Sequence, residues 1–435
     1  MIKCSDKMME VRETRLGNGI RVVTAPLPRV QSVAIGVWVG VGGRYESPKL
    51  SGISHFIEHL LFKGTEKRSA RDISQAIEGR GGFCNAFTQE ENTCYYVRVA
   101  YDHTWKALDI LSDMYLHPRF DQSDIDREKG VIVEEIMMYR DQPEYVVQEM
   151  LSRILWKDHE LGRPLVGTPE SLRRLTRDHL LAFKKKKYIP ENTVLIFAGR
   201  VTHDECVAHA AKLMQRLGAH REPAYKLVTP AVSQERLVLK SKEIEQTQLA
   251  MGFRIFGRFD KRRYALKVLN VILGENMSSR LFQVVREKHG LAYAVHSSIQ
   301  LFADTGVLLI GAGLDRSRKE KALELILREI CRLKRDPVSA RELVRAKEYI
   351  VGHLRLALES PSGHMMWMGE HILDYRTCIS PEDVIQKIMN VRVEHVLDVA
   401  NAIFKDRQVS LSLLSSRLVP QDGECMQTLL QALTA

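Results

Sequence analysis

Hydrophobic positions along the chain fall into two recurring patterns: short, strand-sized apolar runs and longer stretches with a helical period. Val33-Ala34-Ile35-Gly36-Val37-Trp38-Val39 is apolar at almost every position, which predicts a strand buried on both faces. Leu249-Ala250-Met251-Gly252-Phe253-Arg254-Ile255 repeats that pattern 216 residues later, and helical Ile132-Val133 is matched in order and context by Ile350-Val351, 218 residues later. Nearly equal offsets predict a duplicated unit of about 215 residues, larger than a solenoid repeat. The fold class expected is α+β, with two similar domains, each made of helices packed on a mostly antiparallel sheet. The joint falls between Leu217 and Val232, where Gly218, Pro223 and Pro230 interrupt any helical period. The expected division is a first domain over 1–217, a linker over 218–232 and a second domain over 233–435. No P-loop is present and no G-x-G-x-x-G follows a strand, so nucleotide binding has little support.

Composition narrows the picture only modestly. Hydrophobic residues at 45% and charged residues at 27% of 435 place the chain near the soluble globular average. No apolar run approaches the roughly 18–20 residues of a membrane span. The formal charge of +10 raises the question of a nucleic-acid partner. Basic residues are spread along the whole chain, however, and no groove-reading module is visible, so no nucleic-acid partner is expected. The densest basic run, Lys184 to Lys187, reads as a solvated helix end, where the helix dipole favours cations. Seven scattered cysteines without a C-x-x-C pair argue against a disulfide framework and suit a reducing compartment. Met1 to Lys7 shows neither a signal-peptide apolar region nor an Arg-rich presequence, so the expected location is cytoplasmic.

The chemistry is concentrated in Ser51-Gly52-Ile53-Ser54-His55-Phe56-Ile57-Glu58-His59-Leu60-Leu61-Phe62-Lys63-Gly64. Ile53, Phe56, Ile57, Leu60 and Leu61 keep the spacing of one helix face, with Ser51 a candidate N-cap and Gly64 a stop. At about 100° per residue, His55, Glu58 and His59 share the opposite face. Two histidines four residues apart can direct their imidazoles at one zinc ion, with Glu58 beside them and free of ligation. With 15 histidines in the chain, chance alone places this pattern in roughly one such sequence in thirty, before a helical context is required. A catalytic zinc needs a third ligand and an open position. On a helix over 123–140, Glu128 and Glu135 fall in the stripe of Ile125, Val131, Ile132, Ile136 and Tyr139, whereas Arg127 and Glu134 point away. Carboxylates on an apolar stripe are costly to bury without a cation or donors, and a metal site removes that difficulty. Glu135 is the expected third ligand and Glu128 its supporting neighbour; a solvated acidic helix edge is the plainer alternative.

With these residues the chain resembles the inverzincin zinc peptidases, whose inverted motif is H-x-x-E-H. More closely, and over nearly its whole length, it resembles family M16, the group of pitrilysin, insulin-degrading enzyme and the mitochondrial processing peptidase. The family's spacing from second histidine to third ligand falls on Glu135 and not on Glu134, and its further glutamate one heptad earlier falls on Glu128. Asn85-Ala86-Phe87-Thr88 resembles the family's edge strand, where an extended substrate adds as an extra strand, which implies substrate-binding roles for Asn85 and Ala86. Arg286 and Tyr293 match the Arg and Tyr that hold substrate and polarise its carbonyl. Val271-Ile272-Leu273-Gly274-Glu275, in the region of the second half equivalent to the motif, lacks it, so one zinc per chain is implied.

The resemblance implies a clamshell of two halves hinged near Leu217 to Val232. It implies an endopeptidase for unfolded or presequence-like segments admitted to a chamber. The glycine-rich loop of the non-catalytic mitochondrial subunit is missing, and zinc motif and Arg/Tyr pair occur together, which resembles a self-sufficient, homodimeric member. A mature chain in a matrix-like mitochondrial compartment is the alternative location. The rival function is a non-catalytic peptide-binding or assembly subunit of the same fold, against which the intact zinc motif weighs.

Overall fold

The computed structural model describes residues 9–214, 224–229, 235–405 and 408–431. Strands β1 (Arg12–Arg15), β2 (Arg21–Pro26), β3 (Ser32–Val39), β4 (Phe83–Thr88), β5 (Thr93–Ala100) and β6 (Thr193–Gly199) form one sheet, ordered β1-β2-β6-β3-β5-β4. Strands β7 (Leu237–Ser241), β8 (Thr247–Ile255), β9 (Ala292–Leu301), β10 (Gly306–Leu314) and β11 (Val409–Ser415) form the other, ordered β7-β11-β8-β10-β9. With β1 set aside, the two orders are the same strand for strand. The β2–β6 and β7–β11 pairs are parallel, and the remaining pairs are antiparallel. Strands β7 and β11 begin 216 residues after β2 and β6, so the spacing of the apolar runs is the spacing of the sheets. The fold is α+β with two similar domains, each a mostly antiparallel sheet carrying helices.

The pattern of each strand follows its place in the sheet. Central β3 is buried at every position after Ser32, whereas β4, at the end of its sheet, alternates between exposed and half-buried from Phe83 to Ala86 and is buried only at Thr88. Trp38 of β3 anchors a core cluster with Ala34, Ile196, Met365 and Met368, and Phe87 meets its ring edge-on at 5.4 Å. The helix Pro361–Tyr375 comes close enough to β3 that a Cβ on Gly369 would lie 2.0 Å from the Trp38 ring. A mid-helix glycine loses about 1 kcal/mol relative to alanine; here close packing against the indole explains it.

The chain divides into two compact units. The described residues within Met1–Ile136, Arg163–Lys226 and Leu354–Asp383 form the first, and those within Met137–Gly162, Leu227–His353 and Val384–Ala435 form the second. This is not the simple division by halves expected from sequence. Helix Pro143–Leu155, from the first half, packs on β8 and β11, and helix Pro361–Tyr375, from the second half, packs on β3 and β6. Apolar stripes are satisfied by either sheet, so periodicity alone cannot assign a helix to its partner. Of the expected linker and hinge, 217–223 and 230–232 lie outside the described residues, as does the N-terminal stretch read for targeting signals. Residues 224–229 are neither helix nor strand; in the first unit Tyr225 meets Tyr45 at 5.5 Å and its ring receives the Arg44 guanidinium at 4.2 Å.

The basic run ends the helix Arg177–Lys187, but not as a uniformly solvated end. Lys185 and Lys186 are exposed, while Lys184 lies over the Tyr115 and Tyr188 rings, and burial pushes its ammonium down to about 8. Among the described residues, no helix is long and apolar enough to cross a membrane.

The Trp38 contact makes a test with an internal control. Gly369→Ala should destabilise the protein by about 1–3 kcal/mol through overpacking, despite alanine's better helix propensity. Gly352→Ala, in the helix Ala340–Ala357, meets nothing within 4 Å and should be neutral or stabilising by up to about 1 kcal/mol. Urea denaturation of both variants checks this, and equal midpoints would refute the packing argument.

Candidate metal centre and active site

The helix Ile53–Leu61 sinks its whole apolar stripe, Ile53, Phe56, Ile57, Leu60 and Leu61, into the first unit. That burial sets the helix's rotation, and His55, Glu58 and His59 project from the remaining face. Its start differs from expectation. Gly52, not Ser51, takes the N-cap position, with a φ of 90° that favours glycine and no side-chain cap. The missing acceptor comes from the preceding loop: Glu46 accepts from the Gly52 N–H at 2.7 Å and the Ser54 N–H at 2.8 Å. A carboxylate suits the positive end of a helix, and both of its oxygens are used. Burial pushes Glu46 up to about 7, against the N–H donors of Ser54 and Gly52 that pull it back. At the far end, Gly64 turns the chain at a φ of 127°.

Helix Gln122–Asp141 brings its carboxylates to this face. Glu135 Oε2 lies 3.8 Å from His55 Nε2 and 3.5 Å from His59 Nε2, and the imidazoles meet at 4.6 Å between ring centres. Neighbouring Glu134 is exposed, as are Arg127 and, in a departure from the expected stripe, Val131. Val131 sits at the stripe's border, rotated about 60° from Glu128 toward the Glu134 side. Among the described residues, His55, His59 and Glu135 are the one group of three or more such side chains able to hold a metal ion, with donor atoms within 4.8 Å of one another.

The arrangement fits zinc. Gaps of 3.5 and 3.8 Å are longer than ordinary hydrogen bonds. They approach the separation of about 3.4 Å expected for two donors each about 2.0–2.1 Å from a shared tetrahedral ion. Two imidazoles and one carboxylate are also a donor set that leaves a fourth position open.

The surrounding contacts order these groups. Glu128, 2% exposed, takes His59 Nδ1 at 3.2 Å and Lys63 Nζ at 2.8 Å. Glu58 accepts the Thr88 hydroxyl at 2.6 Å, which ties it to the end of β4. Burial and neighbouring His59 push His55 down to about 4. Burial alone would lower His59 as well, but the carboxylates of Glu135 and Glu128 raise it. Burial raises Glu58, opposed by the Thr88 hydroxyl. On β4, the edge strand of its sheet, Ala86 donates its N–H to Asn85 Oδ1 at 2.8 Å. Arg286 and Tyr293 lie in the second unit, with the guanidinium 5.6 Å from the phenol ring; Tyr293, at 74%, is widely exposed.

Glu46 was absent from the sequence expectations, and Lys63 and Thr88 stood within the quoted segments without a role at this site. Lys63 left a partial signal, being a cation four residues after His59. The roles of Glu46 and Thr88 left none, since they depend on a loop and a strand folding back on the helix.

Known proteins resemble this chain over most of its length. Residues 21–169 match the family model for Insulinase (Peptidase family M16), and residues 174–350 match that for the Peptidase M16 inactive domain. The chain is 39% identical over 398 residues to a Bacillus subtilis protein named uncharacterized zinc protease YmxG, covering 92% of this chain and 96% of that one. The chain belongs to peptidase family M16. An M16 relative in Mycobacterium tuberculosis, also named a zinc protease, is 40% identical over 421 residues, covering 95% of this chain and 96% of its own. The M16 fold is shared with a solved protease from Helicobacter pylori, at a TM-score of 0.86 and 23% identity over 93% of this chain and 99% of that one. A solved Pseudomonas fluorescens structure described as a peptidase M16 inactive domain gives 0.87 at 20% identity, over 94% and 98%.

The loop carboxylate at the start of helix Ile53–Leu61 can be tested alone. Glu46→Ala strands two buried N–H donors and should cost about 1–3 kcal/mol. Amide exchange across Ile53–Leu61 should accelerate in parallel. A loss below about 0.5 kcal/mol in urea denaturation would show that Glu46 does not hold the helix start.

Proposed function

We propose that this chain is a zinc-dependent endopeptidase with one zinc per chain, held by His55, His59 and Glu135. The observation that carries the reading is the convergence of those three donors, with Glu58 projecting beside them from the same helix turn. The relatives named zinc proteases support it independently.

Zinc held there supplies a Lewis acid to a substrate carbonyl and brings the ionisation of water toward neutrality. Glu58 removes a proton from the attacking water as its oxygen bonds to the carbonyl carbon. It then delivers that proton to the amine as the carbon–nitrogen bond breaks. Burial, which raises Glu58, favours the protonated form needed for that second transfer. Glu128 holds the ring of His59 through Nδ1. On β4, an extended substrate would take the place of the Asn85 side chain at the Ala86 N–H, adding as an outer strand. Arg286 and Tyr293 are assigned to hold the substrate, with the Tyr293 hydroxyl donating to the carbonyl oxygen as charge develops.

The same proposal takes unfolded or presequence-like peptides as substrates, admitted to the chamber that the family resemblance implies. It takes the working form as a cytoplasmic homodimer. The described cysteines form no disulfide with one another, which suits a reducing compartment.

Glu58→Gln should retain zinc and lose turnover by about 100-fold or more, the scale of a lost general base. His59→Ala should lose both. Digestion of a mixed peptide library, read by mass spectrometry beside zinc analysis of each variant, measures the two properties together; peptidase activity surviving in Glu58→Gln rejects the mechanism. Tyr293→Phe should slow cleavage while zinc content stays at the wild-type level, and a fall in zinc would move Tyr293 from the reaction to the support of the fold.

A further inference from the structure

We propose that Lys63 is a positioning residue of the metal centre, acting through Glu128 on His59. The inference rests on the assignment of zinc to His55, His59 and Glu135, and adds a residue which that assignment does not need.

The two oxygens of Glu128 are divided between two partners. Oε2 faces His59 Nδ1 at 3.2 Å and Oε1 faces Lys63 Nζ at 2.8 Å. A carboxylate only 2% exposed carries a heavy desolvation cost unless its charge is met, and the ammonium of Lys63 meets it. With Oε1 committed to Lys63, Oε2 is left to accept from His59. A carboxylate accepting from Nδ1 selects the tautomer whose Nε2 lone pair is free, and Nε2 is the atom facing Glu135. Lys63 therefore acts two bonds removed, on the direction and basicity of the ring.

The backbone beneath Lys63 is built to keep it there. Lys63 stands four residues after His59, in the turn just beyond the helix's last residue Leu61 and its C-cap Phe62, and its ammonium reaches the same Glu128 carboxylate as the His59 ring. Its N–H donates to the Leu60 carbonyl at 3.1 Å, and a cation at this end also suits the helix dipole. Gly64 then turns the chain in a conformation that a side chain would strain, with a Cβ meeting the Arg68 carbonyl at 3.0 Å. Thr65 is fully buried, its hydroxyl on Asp113 at 2.6 Å. Lys63 is thus anchored on both sides, while a third of its side chain stays in contact with solvent.

The test measures zinc affinity on the full chain, by competition between the protein and a chelator of known strength. Lys63→Met should weaken zinc binding about 10–100-fold, the scale for loss of an outer partner. Lys63→Arg should restore it to within a few-fold. In a Glu128→Gln background, Lys63→Met should add nothing, because the route through Glu128 is already cut. Circular dichroism of the metal-free variants checks that each is folded, and Lys63→Gln replaces Lys63→Met if the latter is not. Wild-type zinc affinity in the folded Lys63→Met or Lys63→Gln protein overturns the inference. So does a loss that Lys63→Arg fails to repair, or one that persists undiminished in the Glu128→Gln background. His59→Ala in the same assay separates the two levels: if it binds zinc like the wild type, the assignment of the site itself falls, whereas loss of zinc there with no effect at Lys63 removes Lys63 alone.

Discussion

The hydrogen bonds from the Gly52 and Ser54 amides to the buried carboxylate of Glu46 hold the start of helix Ile53–Leu61. Burial of five apolar side chains sets its rotation. Between them they determine where His55, Glu58 and His59 can point. A helix of nine residues has little stability of its own, so its direction must come from such tertiary contacts. Glu135 and Glu128 belong to a different helix, and they reach the imidazoles only if the motif helix is held within a fraction of a hydrogen bond's length. The chemistry is therefore as much a property of the loop at Glu46 and the turn at Gly64 as of the motif.

Two sheets of the same strand order carry very different polar inventories. In the first, the helix after β3 carries two imidazoles and a glutamate. The corresponding stretch of the second, Val271 to Gly274, is buried and apolar, and continues a helix that begins at Arg263. The second unit instead places an arginine and an exposed tyrosine side by side, Tyr293 near the start of its edge strand β9. A duplicated fold kept its backbone pattern because β pairing and apolar burial are set by period, while the side chains on the polar faces were free to differ.

Much of this was legible in the sequence, and what was not has physical reasons. The apolar runs at Val33 and Leu249 are strands β3 and β8, since a strand buried on both faces is written as an unbroken run. Glu135 stood apart from Glu134 because a rotation of 100° separates a residue facing the imidazoles from an exposed one. The exchange of helices Pro143–Leu155 and Pro361–Tyr375 between units left no trace, because an amphipathic stripe records that a helix is half-buried and not which sheet buries it. Glu46 was silent for a related reason: the acceptor at a helix start is legible when it sits at the N-cap, and here it comes from a loop six residues earlier. Lys184 misled for another, since a run of lysines gives no sign that two aromatic rings will cover its first member.

Glu128 and Glu135 show how one helix can carry two buried acids toward different ends. They are a heptad apart and share a stripe, so their surroundings and not their positions distinguish them. Glu128 is nearly sealed from solvent and has a permanent cation, Lys63, on one oxygen. That pairing offsets part of the cost of burial. Glu135 faces two imidazoles at distances too long for strong hydrogen bonds. Removing the cation from a buried carboxylate is generally more damaging than removing both partners, because it leaves a charge unmet. A helix that supports its first acid with a fixed cation can afford to leave the second poised beside exchangeable partners. In the proposed centre, the carboxylate paired with Lys63 is the one that orients the His59 ring, and the more open Glu135 is the one that would face the ion.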